Sequence, residues 1–207
     1  MTEPFDPKLP EIVLGALIKV LGAAEELIPL HAPTFSGREW EYVKDCIDTG
    51  WVSTAGSYVD QFEASLVEYT SAKFAIATSN GTAALHLALI LAGVKSGDEV
   101  IVPALSFVAT ANAVHYCNAT PHFVDIGEQT LGLDPIKLES YLSELTEIAP
   151  NGLINKSTKR RISAILPMHT FGHPVDLDKL MAVSKKFGLP IVAVSYTHLT
   201  LPTILLV

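Results

Sequence analysis

From residue 74 to residue 192, short continuous apolar runs take turns with longer stretches of helical periodicity, and this alternation constrains the fold more than any other feature. The runs at 74–78, 99–102, 122–125, 162–167 and 190–192 have strand length and are apolar almost throughout, without the in/out alternation of a half-solvated sheet. Strands of that kind are covered on both faces. Between them, 82–91, 108–117, 135–145 and 177–187 read as helices, the first stopped by Gly93. The pattern predicts an α/β domain with a mainly parallel sheet and helices on both faces. The polar segment 146–158, broken by Pro150-Asn151-Gly152, is expected to be an exposed insertion.

Upstream of the alternation, residues 9–27 place Ile12, Val13, Ala16, Leu17, Val20, Leu21 and Ala24 on one broad helical face. This reads as an amphipathic helix leading into the domain, with a partner subunit as a second target. Pro29 and Pro33 predict an extended connection. Ser36 is suited to cap a helix from Gly37 to about Asp48 that turns Trp40, Tyr42, Val43 and Ile47 inward and ends at Gly50. A loop over 51–56 and a helix over 59–69 follow. Three segments result: 1–27 as an N-terminal helix, 28–192 as the principal domain, and 193–207 as a tail.

Twenty-two acidic against 14 basic residues, a net charge of -8, exclude an electrostatic nucleic-acid binder. The one tight basic group, 156–161, reads as a solvated loop. Cys46 and Cys117 have no metal-ligand spacing and fit a reducing, cytoplasmic setting. Glu3 and Asp6 stand where a signal peptide would be basic, and Lys19 interrupts the apolar stretch, so neither a leader nor a membrane span is expected.

In open α/β sheets, ligands gather at the carboxyl edge of the strands. Four predicted strand ends deliver chemistry there. The first passes through Thr78-Ser79-Asn80-Gly81-Thr82-Ala83, where free amides at a helix start form an anion site suited to a phosphate; Asn80 or Thr82 as a plain helix cap is the simpler reading. The run has neither the Gly-Lys-Ser/Thr of a nucleotide-hydrolysing loop nor the spacing of a dinucleotide turn. The second carries Phe107, able to stack on a flat heterocycle or to be an ordinary core residue. The third carries Asp125. The fourth carries His169 and His173, which lie in a Gly/Pro loop without a third ligand and do not suggest a metal.

Six ordered blocks resemble the DegT/StrS family of sugar-nucleotide aminotransferases. They are Ile28-Pro29-Leu30-His31, Trp51-Val52-Ser53-Thr54-Ala55-Gly56, Asn80-Gly81-Thr82-Ala83-Ala84-Leu85, Gly97 to Pro103, Ser106 to Asn112, and Pro167-Met168-His169-Thr170-Phe171-Gly172-His173-Pro174. The resemblance covers residues 28–192 and implies the large domain of a fold type I enzyme using pyridoxal 5′-phosphate (PLP). It further implies that Gly81, Thr82 and Ala83 hold the PLP phosphate, that Phe107 stacks on the pyridine ring, that His169 sits beside the cofactor, and that Thr54 and Gly56 lie at the active-site mouth and meet substrate. The implied reaction moves an amino group from an amino acid such as glutamate to a nucleotide-linked 4-keto-6-deoxy sugar, within a homodimer. The His-Thr-Phe-Gly-His-Pro block and Thr130-Leu131-Gly132-Leu133 are most similar to members acting on UDP-linked acetamidohexoses.

Two features depart from the family pattern. The family follows the Leu189-Pro190-Ile191-Val192 strand with an acidic run whose Asp pairs with the pyridinium nitrogen; here Ala193-Val194-Ser195-Tyr196 stands instead. Nor does any Lys follow Lys186, so the Schiff-base lysine is not assigned and no catalytic residue is named. Residues from about Ala193 resemble translated sequencing-adaptor sequence and are expected to have no role in the fold. The chain thus reads as the cofactor-domain half of an aminotransferase. The alternatives are a PLP-dependent sugar dehydratase of the same family and a non-catalytic binding or regulatory protein on the same scaffold.

Overall fold

A computed structural model describes residues 6–22 and 35–194. The chain divides into two compact units, Met1–Gly50 and Trp51–Val207. The division falls after Gly50, so the helix read from Gly37 groups with the N-terminal helix and not with the sheet.

The first unit contains α1 (Leu9–Leu21) and α2 (Glu39–Thr49). Residues 23–34, with Ala24 and the two prolines of the expected connection, lie outside the described residues. The apolar stripe of α1 is present, yet none of its side chains is buried. For α2 the structure corrects two expectations. The helix begins after Arg38 without a side-chain cap, so Ser36 does not cap it. Trp40, Val43 and Ile47, expected to face inward, are 75%, 52% and 64% exposed.

The second unit opens with α3 (Ser57–Thr70) and α4 (Gly81–Leu91), followed by β1 (Glu99–Pro103), α5 (Val108–Tyr116), β2 (Thr120–Val124), α6 (Pro135–Leu145), β3 (Thr146–Ala149), β4 (Gly152–Asn155), β5 (Arg161–Ile165) and α7 (Leu177–Phe187). The sheet order is β2-β1-β5-β4-β3. Strands β1, β2 and β5 are parallel, while β3 and β4 form an antiparallel hairpin whose second strand pairs with the start of β5. Residues 190–194 run beside the other end of β5: Val192 N donates to Ile165 O and Val194 N to Pro167 O, each at 2.9 Å.

Every residue of β1 is buried, and its side chains alternate between two cores. Val100 and Val102 join Leu85 and Leu89 of α4 and Ala113 and Val114 of α5. Ile101 joins Leu138 and Leu142 of α6 and Leu180 and Val183 of α7 on the opposite face. Burial of both faces is what a continuous apolar strand demands. Helix starts are set by side chains as well: Asp134 Oδ1 accepts from the Ile136 and Lys137 amides ahead of α6, and Asp176 Oδ1 from Lys179 N ahead of α7.

Three expectations are corrected here. Residues 74–78 are not a strand; Phe74 and Ile76 are 74% and 81% exposed, and Ala77 N donates at 2.7 Å to Glu63 Oε1 of α3 instead of to a neighbouring strand. Residues 146–155 are not a loose insertion but a hairpin with a two-residue turn at Pro150-Asn151, whose Thr146, Leu153 and Asn155 are buried. Ala193 and Val194, read as the start of a tail without a fold role, are 7% and 3% exposed, and Val194 pairs with the backbone around Met168. Residues 195–207 lie outside the described residues.

Candidate functional site

Because β1, β2 and β5 are parallel, their carboxyl ends at Pro103, Val124 and Ile165 share one edge. Helices α4 and α5 each connect by a few residues to the amino end of the next strand, so both run back along the sheet with their starts at that carboxyl edge. Gly81 and residue 107 are therefore on the edge that the sequence reading assigned to them, although the segment ahead of Gly81 is not a strand.

At the start of α4, Asn80 is the cap. Its Oδ1 accepts from Ala83 N at 2.9 Å, and its own carbonyl accepts from Thr78 Oγ1 at 3.0 Å and Ala84 N at 3.1 Å. The capping reading of Asn80 thus holds. It engages the amide of Ala83 and leaves those of Gly81 and Thr82 ahead of the helical ladder. A methyl group added at Gly81 would meet nothing within 4 Å. Two amides at a helix N-terminus beneath open space fit a phosphate.

The loop after β1 is fixed at both ends. Ala104 N donates to Val124 O at 2.9 Å, and at the far end Ser106 Oγ and Phe107 N both donate to Met168 Sδ at 3.3 Å. Phe107 precedes α5 in extended conformation and is 58% exposed, so it offers apolar surface at the edge and is not a core residue. The contact with Met168 brings it beside the loop carrying His169.

His169 is 7% exposed. Its Nδ1 accepts from Val175 N at 3.3 Å, which puts the proton of the neutral ring on Nε2. Burial holds its pKa below the ordinary histidine value, so the ring is neutral at neutral pH. The loop is clamped from the β2 side, where Thr170 Oγ1 donates to Leu131 O at 3.0 Å and Gly132 lies so close that an added Cβ would be 2.6 Å from Val175 Cγ1.

Thr54 and Gly56 are less integrated. Gly56 caps α3 through its carbonyl, which accepts from Val59 N and Asp60 N, and it packs on Trp51 of its own loop. Among the described residues no hydrogen bond ties either residue to Gly81, Thr82, Phe107 or His169. Asp125 faces solvent and pairs with Lys137 at 2.8 Å, a hydrogen bond that holds its carboxyl below the usual range. It is an exposed ion pair and no part of the cradle.

Sequence reasoning missed the role of Met168, because a thioether next to a proline reads as apolar filler. It also missed a polar cluster at the opposite, amino edge of the sheet. There Arg161 holds the buried Asp98 through Nε at 3.1 Å and Nη2 at 2.5 Å, and Glu99 is bound by Asn155 and His122. Asp98 and Glu99 belong to the Gly97-Asp98-Glu99 block, whose partners Arg161, Asn155 and His122 are distant in sequence.

A profile of the DegT/DnrJ/EryC1/StrS aminotransferase family matches residues 33–194. The chain is 41% identical over 165 residues to GDP-perosamine synthase of Caulobacter vibrioides and 36% identical over 162 residues to that of Escherichia coli O157:H7, covering 80% and 78% of this chain. It spans about 40% of the length of these curated relatives. Among solved structures, DesI in the presence of its TDP-sugar product superposes with a TM-score of 0.65 at 30% identity, covering 87% of this chain and 42% of that one. NtdA from Bacillus subtilis with bound cofactor PMP gives 0.63 at 28% identity, covering 93% and 41%.

Proposed function

Since the chain belongs to the DegT/DnrJ/EryC1/StrS aminotransferase family, a PLP-dependent family of sugar biosynthesis, we propose that it is the cofactor-cradling part of a sugar-nucleotide aminotransferase. The single observation that carries this reading is the pairing, on one sheet edge, of a capped helix start with open space above Gly81 and a half-exposed Phe107 ring. The Gly81 and Thr82 amides bind the phosphate, Ala83 contributing to the turn with its own amide held by Asn80. Phe107 covers one face of the pyridine ring. His169, neutral and with its proton on Nε2, offers a hydrogen-bond donor beside the ring. Thr54 and Gly56 meet substrate at the mouth. When bound, PLP supplies an electron sink for amino transfer.

The substrate is a nucleotide-linked 4-keto-6-deoxy sugar, and the similarity to GDP-perosamine synthases favours a GDP-linked sugar over the UDP-linked acetamidohexose suggested by the motifs. The amino donor is an amino acid such as glutamate, and the whole protein works as a cytoplasmic homodimer. No lysine of the described residues is assigned to the amine step: Lys137 is bound to Asp125, Lys179 to Asp176 and Lys186 to Glu139. Among the described residues no helix is long and apolar enough to cross a membrane.

The test is a titration of the 207-residue protein with PMP and with pyridoxamine, followed by the fluorescence of the ligand. Binding of PMP that pyridoxamine does not reproduce, weakened by Phe107→Ala, is expected. Equal affinity for the two ligands would show that no phosphate cradle exists.

A further inference from the structure

The loop carrying Phe107 is held down by a sulfur atom. Met168 follows the end of β5 by three residues, is 8% exposed, and packs in the core cluster with Val100, Val102, Ala164 and Leu166. Its backbone is bridged to Val194, and its carbonyl lies against Gly132. Met168 is therefore a fixed point on the carboxyl edge. Its Sδ receives two donors, Ser106 Oγ and Phe107 N, each at 3.3 Å, from residues more than 60 positions away.

A thioether is a weak acceptor, but it is polarisable and adapts its geometry to converging donors. Two adjacent donors on one sulfur fix the backbone between Ser106 and Phe107, and with it the direction of the Phe107 Cα–Cβ bond. Phe107 is more than half exposed beyond this anchored amide. Among the described residues no hydrogen bond joins the Met168 side chain to the start of α4.

We infer that Met168 is a positioning residue for ring stacking: its sulfur orients Phe107 toward a flat ligand and has no part in phosphate binding. This rests on the reading of Phe107 as the stacking surface for the cofactor ring.

The experiment uses the 207-residue chain with PMP as the probe. Met168→Leu keeps volume close to that of Met and removes the acceptor, Ser106→Ala removes one donor, and Met168→Gln returns an acceptor of similar reach. The readouts are the PMP dissociation constant, the near-ultraviolet circular dichroism of the bound ring, and hydrogen exchange at the Phe107 amide. Met168→Leu is expected to weaken PMP about fivefold, the value of one ordinary hydrogen bond, to change the dichroism, and to speed exchange at Phe107. Adding Ser106→Ala to it should weaken binding no further, and Met168→Gln should recover most of the loss. PMP binding and Phe107 exchange that Met168→Leu leaves unchanged would overturn the inference. Failure of PMP to bind the unaltered chain would overturn the cofactor reading itself, and the stacking role with it.

Discussion

Asn155 Nδ2 donates to Glu99 Oε2 at 2.9 Å, joining the end of the β3-β4 hairpin to the first residue of β1 across 56 positions. The same oxygen lies 2.9 Å from His122 Nδ1, whose Nε2 is 2.9 Å from the Tyr141 hydroxyl. One buried carboxylate thus ties β1, β2, β4 and α6 together at the edge remote from the proposed site. Glu99→Gln is expected to cost about 2 kcal/mol of stability, as for a charge-assisted buried hydrogen bond, without changing ligand affinity. Urea denaturation of the two proteins measures it.

Burial pushes the Glu99 carboxyl up, but hydrogen bonds from Thr158, Asn155 and His122 outweigh this and hold it below its ordinary 4.5. A folded-state pKa below the unfolded one gives stability that is present above about pH 4.5 and lost as the pH falls through the folded value. Stability measured from pH 6 to pH 3 should therefore fall less steeply in Glu99→Gln. Parallel curves would assign the acid loss to other groups.

His169 titrates in a separate window. Its pKa is depressed by burial from 6.5, so below pH 6.5 the unfolded chain takes up a proton that the folded chain refuses. Its effect is absent at higher pH and grows as the pH falls toward the folded value. His169→Asn, able to accept from the Val175 amide, should remove this part of the pH dependence between pH 7 and pH 5. An unchanged slope in chemical denaturation would contradict the buried, neutral assignment.

Gly132 has no room for a side chain. An added methyl would stand 2.6 Å from Val175 Cγ1 and 3.2 Å from Met168 O, and Val175 is buried and stiff at its branch. Gly132→Ala is expected to cost about 1–3 kcal/mol, the range for overpacking. The double variant with Val175→Ala should cost less than the sum of the two single changes, a coupling that a double-mutant cycle reads directly.

The sequence made legible those elements in which local chemistry and burial agree. Helices α6 and α7 match their expected bounds because Asp134-Pro135 and Asp176 start them and Gly188 ends α7. The strands β1 and β5 were visible as continuous apolar runs, whereas β2, a polar edge strand with Phe123 55% exposed, was visible from its place in the strand-helix alternation. The run at 74–78 is just as apolar but lacks a sheet neighbour among the described residues, and local pattern carries no record of pairing. The hairpin at 146–155 was hidden for the converse reason: its turn residues were noted, but its strands are polar because Thr146 and Asn155 are buried by bonding, Asn155 to Glu99. At the site, the helix start and the aromatic were readable from residue type and order. The Met168 sulfur acts through contacts more than 60 positions distant and had no local signature.

The central claim is that the space above Gly81 is where a phosphate sits, and Gly81→Val tests it most directly. In the protein alone an added Cβ meets nothing within 4 Å, and the position has no left-handed backbone that only glycine tolerates. The account predicts a thermal midpoint at or slightly above that of the unaltered chain, together with loss of PMP binding in the fluorescence titration. Unchanged PMP affinity in a folded Gly81→Val protein would contradict it.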